Sequence, residues 1–162
     1  MAATGQNLFF MKRETKTLIV DDSLSFLRVM EKMLLYLGIP DVTKADNGRR
    51  ALELFECALL RGAPYSLVFL DIVMPGMDGQ ETLKRMRAME KEAGITGDEK
   101  SVIIMATSLH SPGDMMNAMF EGDCTDYLVK PFNIEDLGAL LNKYTRLPGL
   151  SCQQEGLSVS IG

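Results

Sequence analysis

Three carboxylates stand directly after short apolar runs: Asp21 and Asp22 after Leu18-Ile19-Val20, and Asp71 after Leu67-Val68-Phe69-Leu70. Carboxylates drawn together repel one another, at a cost of roughly several kcal/mol unless a cation neutralises them. A few hard oxygen donors with room for water favour Mg²⁺. Two further polar groups follow apolar runs in the same way. Thr107 comes after Ile103-Ile104-Met105-Ala106, and Lys130 comes after Tyr127-Leu128-Val129 and before Pro131-Phe132. A hydroxyl and an ammonium facing a carboxylate and a divalent cation make a binding site for a tetrahedral dianion such as a phosphoryl group, with Asp71 as the nucleophile.

These groups meet only if the runs before them share one sheet. Runs rich in Val, Ile and Leu fall at Thr17 to Val20, Val42 to Ala45, Ser66 to Leu70, Val102 to Ala106 and Asp126 to Val129. Most are continuously apolar, as expected of parallel strands covered on both faces. Helical stripes fill the gaps. Phe26, Val29, Met30, Met33, Leu34 and Leu37 form one, ended by Gly38; Ala51, Leu54, Phe55, Ala58 and Leu59 form another. Leu83, Met86 and Met89 make a weaker third, and Met115, Ala118 and Met119 a fourth. Ile134, Leu137, Leu140, Leu141 and Tyr144 make the fifth, with Asn133 placed to cap it. Strand and helix in alternation imply right-handed crossovers and an α/β fold: an open five-stranded parallel sheet with helices on both faces. Such sheets bind ligands at the carboxyl ends of their strands, where the five polar residues stand.

Composition narrows the class. The 162 residues are 46% hydrophobic and 24% charged, which suits one globular domain, and no apolar run approaches the ~20 residues of a spanning helix. A net charge of −5 without a basic stripe disfavours direct binding to nucleic acid. Cys57, Cys124 and Cys152 are odd in number and widely spaced, so they read as reduced thiols of a cytoplasmic protein rather than a disulfide or zinc framework. The apolar patch Leu8-Phe9-Phe10-Met11 is too short for a signal sequence, and basic residues follow rather than precede it. Residues 1–14 and 147–162 read as tails around a domain at 15–146; the alternating Leu157 to Ile161 has nothing to fix it as a strand.

With these residues in order and register, the chain resembles the receiver domains of bacterial two-component response regulators, in their chemotaxis-regulator-like single-domain form. The resemblance covers residues 15–146. It rests on Asp21-Asp22, on Asp71-Ile72-Val73-Met74-Pro75-Gly76-Met77-Asp78-Gly79, on Thr107, and on Lys130-Pro131-Phe132. It implies a flavodoxin-like (βα)5 fold and transfer of a phosphoryl group to Asp71 from a sensor histidine kinase or phosphotransfer protein. Asp22, Asp71 and the backbone carbonyl of Val73 would ligate Mg²⁺, with Asp21 acting through water. Lys130 would pair with a phosphoryl oxygen, and the Lys130-Pro131 peptide would be cis. Thr107 and Tyr127 would shift on phosphorylation and change a protein-binding face made by the fourth helix, fifth strand and fifth helix. The implied partners are that donor and a downstream protein, with a homodimer as a further assembly and neither membrane nor nucleic acid as a target. The chain would be a switch, assisting only its own phosphorylation and dephosphorylation, rather than an enzyme.

Simpler readings compete residue by residue. An Asp at a strand end often caps a helix or forms a turn, Thr107 suits a strand end, and Tyr127 suits a core. These readings leave the coincidence of all the positions unexplained. Asp71 and Asp78 do not make an EF-hand, because Val73 and Pro75 break its alternation. An aspartyl phosphatase would want a second carboxylate two residues after Asp71, where Val73 stands. A receiver-fold interaction domain working without phosphorylation remains the alternative. His110, the single histidine, is assigned no role, and the twelve methionines read as flexible filler, with Met115, Met116 and Met119 able to soften a partner face. By the same resemblance, Val73 and Leu109 flank the route of the hydrolytic water. Neither side chain can orient that water, so self-dephosphorylation is expected to be slow.

Overall fold

The computed structural model describes residues 15–108 and 123–144. Its elements alternate as β1 (Thr17–Val20), α1 (Leu24–Tyr36), β2 (Val42–Ala45), α2 (Gly48–Leu60), β3 (Leu67–Leu70), α3 (Gly79–Glu92), β4 (Val102–Thr107), β5 (Asp126–Val129) and α4 (Ile134–Tyr144). The strands form one five-stranded sheet in the order β2-β1-β3-β4-β5, and every neighbouring pair is parallel. This is the sheet expected from the sequence. The fourth stripe around Met115 to Met119, together with Leu109, His110, Cys152 and both tails, lies outside the described residues.

Alternation along each strand divides the core in two. Leu18, Val20, Val68, Leu70, Ile103 and Met105 face Phe55 and Ala58 of α2 and Leu83 and Met86 of α3. Ile19, Leu67, Phe69, Ile104 and Leu128 face Leu27, Met30 and Leu34 of α1 and Leu137 and Leu141 of α4. Each fully buried Leu, Ile or Phe contributes about 1.5–3 kcal/mol relative to exposure. Covering both faces forces the edges to carry the chemistry.

The α1 face differs from the expected stripe. Leu27, Met30 and Leu34 are its buried residues, whereas Val29 is 51% exposed. The helix is turned slightly from the predicted register, because Leu27 enters the core and Phe26, Val29 and Met33 line its shoulder. Other local features match their sequence signals. Asn133 caps α4 by accepting from the Asp136 amide at 2.8 Å, and Asp136 accepts from the Asn133 amide at 3.1 Å. The connection between Met89 and Ser101 is partly helix, since α3 runs to Glu92. It ends with Gly94 at φ 77°, where the Ile95 amide donates to Glu90 O at 2.9 Å.

Thr17 is wholly buried in β1, and its hydroxyl has no hydrogen-bond partner among the described residues. An unsatisfied buried hydroxyl costs about 1–3 kcal/mol. Thr17→Val keeps the shape and removes the polar atom, so it should raise stability by about 1 kcal/mol in urea titration; an equal loss would mean that the hydroxyl is satisfied.

Candidate functional site

The parallel register sets the site. Val20 pairs with Ala45 on one side and with Leu70 on the other, so the chain leaves β1 and β3 at one level. The ladder continues one residue further: the Asp21 amide donates to Ala45 O at 3.1 Å and the Asp71 amide to Val20 O at 3.0 Å. Both carboxylates are thereby held by backbone geometry at the carboxyl edge. Asp21, Asp22 and Asp71 each offer an oxygen, and these oxygens lie within 4.8 Å of one another.

Asp21 is 1% exposed and Asp71 8%, while Asp22 faces solvent. Asp21 Oδ1 accepts from the Ser23 amide at 2.8 Å, which ties the carboxylate to the start of α1. Ser23 in turn caps that helix by accepting from the Phe26 amide at 3.3 Å. Lys130 Nζ donates to Asp21 Oδ2 at 2.5 Å and stands 3.8 Å from Asp71 Oδ2. Burial pushes the Asp71 carboxyl above its ordinary value. The Lys130 charge opposes that shift, Asp21 adds to it, the Val73 amide opposes it and Asp22 adds to it. A buried carboxylate beside two others is the kind of group that a divalent cation stabilises, and the all-oxygen donor set fits Mg²⁺.

The loop after β3 is closed tightly over α3. The Val73 amide donates to Asp71 Oδ1 at 3.3 Å. The Gly79 amide donates to Ile72 O at 2.9 Å, and a Cβ at Gly79 would lie 2.0 Å from the Asp71 carbonyl oxygen. Glycine is therefore required for α3 to start against the residue that carries the carboxylate. Asp78 caps this helix, accepting from the Glu81 amide at 2.8 Å, so its place in the motif is structural.

Of the other expected residues, Thr107 is the last residue of β4 rather than the one after it, and pairs with Val129. That register puts it level with the residue preceding Lys130. Tyr127 lies in β5, half-buried against the core face shared with α2 and α3. Val73 is 59% exposed beside Asp71. The Lys130-Pro131 peptide is cis, as the resemblance implied. Cys57 and Cys124 are free thiols; burial pushes the Cys124 thiol up to about 11, which suppresses its nucleophilic form.

One neighbour of the site went unread in the sequence. Lys130 Nζ lies 3.9 Å from the ring centroid of Phe26, and Phe132 meets that ring edge-on at 6.0 Å and 85°. The helical stripe had claimed Phe26 for the core. The signal available was its place in the first turn of a helix that starts at the acidic edge.

Comparison with known proteins accords with this arrangement. The family model for the response regulator receiver domain matches residues 17–142. The sensor protein GacS of Pseudomonas syringae pv. syringae is 28% identical over 93% of this chain, which spans 16% of that protein. The uncharacterized transcriptional regulatory protein YkoG of Bacillus subtilis is 34% identical over 86% of this chain, covering 54% of that protein. The chain thus spans about half or less of the length of these relatives. Among solved structures, chemotaxis protein CheY4 of Vibrio cholerae superposes with a TM-score of 0.64 at 32% identity, over 80% of this chain and 98% of that one. The receiver domain of the histidine kinase CKI1 from Arabidopsis thaliana, complexed with Mg²⁺ and BeF₃⁻, shares the fold with a TM-score of 0.73 at 24% identity, over 87% of this chain and 95% of that one. With its parallel sheet, its acidic edge and a family match running from β1 into the last helix, the chain belongs to the response regulator receiver domains of two-component systems.

Proposed function

We propose that this receiver domain is a phosphorylation switch in which Asp71 accepts a phosphoryl group and signals to a partner protein. The observation that carries this reading is the convergence of Asp21, Asp22 and Asp71 with Lys130 at one sheet edge. One Asp71 carboxylate oxygen attacks the phosphorus of a phosphohistidine on a sensor histidine kinase or phosphotransfer protein. The P–N bond breaks, the electron pair leaves on the imidazole nitrogen, and an acyl phosphate forms on Asp71. Asp22, Asp71 and the Val73 carbonyl would hold Mg²⁺ directly and Asp21 through water. Bound there, the cation offsets the carboxylate charge and that of the incoming phosphoryl oxygens. Lys130 supplies a positive charge of the protein's own, already 3.8 Å from Asp71 Oδ2.

Thr107 and Tyr127 then carry the change outward, Thr107 by hydrogen-bonding the phosphoryl group and Tyr127 by turning inward behind it. The receiving face, of the helix expected around Met115 to Met119 with β5 and α4, would bind the downstream protein or a second copy of the chain. Among the described residues no helix is long and apolar enough to cross a membrane. The test is incubation with Mg²⁺ and acetyl phosphate, read by intact mass. One added phosphoryl group is expected; no gain with either acetyl phosphate or a kinase would favour a receiver-fold domain that binds without phosphorylation.

Phosphoryl lifetime follows from Val73. Its side chain cannot hydrogen-bond a water, so attack on the acyl phosphate lacks an orienting group. Val73→Asn supplies an amide and should speed phosphate loss about tenfold, below the range of a true general base because an amide orients without taking a proton. Release of labelled phosphate measures this; an unchanged half-life would count against the role of this position.

A further inference from the structure

We propose that Phe26 is a positioning residue for Lys130, an aromatic shelf that holds the ammonium at the Asp71 site; this rests on the phosphotransfer reading above. The ammonium has three kinds of neighbour. It donates to Asp21 Oδ2, stands 3.8 Å from Asp71 Oδ2, and lies 3.9 Å from the Phe26 centroid. The distance to Asp71 is too long for a hydrogen bond, so Asp21 is the lysine's hydrogen-bonded carboxylate and Asp71 attracts it by charge alone. This hold weakens when a divalent cation takes up the charge of the acidic cluster, which is the state in which the lysine must meet the phosphoryl group. The ring does not share this weakness. Its attraction for a cation comes from a fixed quadrupole and is unaffected by neutralisation of the carboxylates.

The ring is itself held. Phe132, two residues after Lys130, meets it edge-on, and the Phe26 amide donates to the hydroxyl of the Ser23 cap, the same residue whose own amide grips Asp21. The start of α1 and the segment after β5 thus meet through Phe26, Phe132 and Lys130. Lysine carries a long, flexible stem with large rotamer freedom, and a shelf on one side restricts its ammonium to the side facing Asp21 and Asp71. Phe26 has no need to be in the core to do this, and it is only half-buried.

Two substitutions in the full chain separate positioning from packing. Phe26→Leu keeps an apolar side chain and removes the quadrupole, while trifluorophenylalanine at position 26 keeps the shape and weakens the quadrupole. In the native protein the Lys130 ε-methylene protons should show an upfield ring-current shift by NMR, lost in Phe26→Leu. Initial phosphoryl uptake from acetyl phosphate should fall about tenfold in Phe26→Leu, the size of a partly desolvated cation–π contact, and by an intermediate factor in the fluorinated protein. Mg²⁺ affinity by calorimetry should stay within about twofold in both, because the carboxylates are untouched. Native uptake rates in both variants, a fluorinated protein indistinguishable from native, or Mg²⁺ affinity falling in step with rate would overturn the inference. Absence of uptake by the native chain would instead remove the phosphotransfer reading, and the inference with it.

Discussion

An Asp71→Asn protein should take up no phosphoryl group, yet melt above the native chain when divalent cations are chelated. The first result follows because an amide is no nucleophile toward phosphorus. The second follows from the cost of the native charge. Burial, with Asp21 and Asp22 adding to it, raises the Asp71 carboxyl above 3.8 in spite of Lys130 and the Val73 amide. For an acid raised in the folded state, the fold favours the protonated form. Stability is therefore highest below the unfolded value, falls as pH rises through the folded one, and carries the full penalty at neutral pH. Asn removes that penalty. Relief of that penalty should appear as a rise of about a few degrees in Tm for a domain of this size. The gap should narrow as pH falls through the raised folded value and close below 3.8, where the carboxyl is protonated in both folded and unfolded chains. Saturating Mg²⁺ should reverse the order, since a ligand at a hundred times its Kd adds about 2.7 kcal/mol to the protein that binds it. Thermal melts of both proteins with chelator and with Mg²⁺ check this. A variant that melts below the native chain in chelator would show that Asp71 is not strained by its neighbours.

The outcome turns on residues that the sequence displayed openly. Strand ends are legible because continuous apolar runs stop abruptly at Asp21, Asp71 and Lys130, and parallel pairing leaves few ways to arrange those ends. Helix orientation is less so. Phe26, Val29 and Met33 satisfy a three- and four-residue step as well as Leu27, Met30 and Leu34 do, and only packing against Ile19 and Phe69 decides which set is buried. The aromatic shelf was lost to that same ambiguity. Thr107 was placed one residue past its strand because β4 keeps pairing with β5 through Val129, a tertiary effect with no local sign. Glu90 offers another case. It stands among polar residues of α3, yet is 1% exposed, and its meaning depends on a partner three residues earlier and on Ser101, where the chain returns to the sheet.

That partner, Arg87, should be among the least replaceable residues for stability. Its guanidinium donates to Glu90 Oε2 at 2.8 Å, to Ser101 O at 2.9 Å, to Asp123 O at 2.9 Å and to Thr125 Oγ1 at 3.3 Å. Glu90 Oε1 accepts from the Ser101 amide at 2.7 Å, and Thr125 Oγ1 accepts from the Ile103 amide at 3.0 Å. One side chain thus ties α3 to the entries of β4 and β5. Arg87→Met leaves Glu90 buried without its counter-charge, a change that costs about 3–5 kcal/mol and roughly 10 °C in Tm. Adding Glu90→Gln should restore much of the loss, because the amide oxygen still accepts from Ser101 while the stranded charge is gone. Urea titration of both single variants and the double variant gives the coupling. A loss under about 1 kcal/mol for Arg87→Met, or no recovery in the double variant, would show that the network is not a stabilising unit. The chemistry should be unmoved in the folded protein, with Mg²⁺ affinity and phosphoryl uptake as in the native chain. Arg87 acts where β4 and β5 begin, and the carboxylates and Lys130 gather at the opposite, carboxyl edge, so the fold separates what holds the sheet from what uses it.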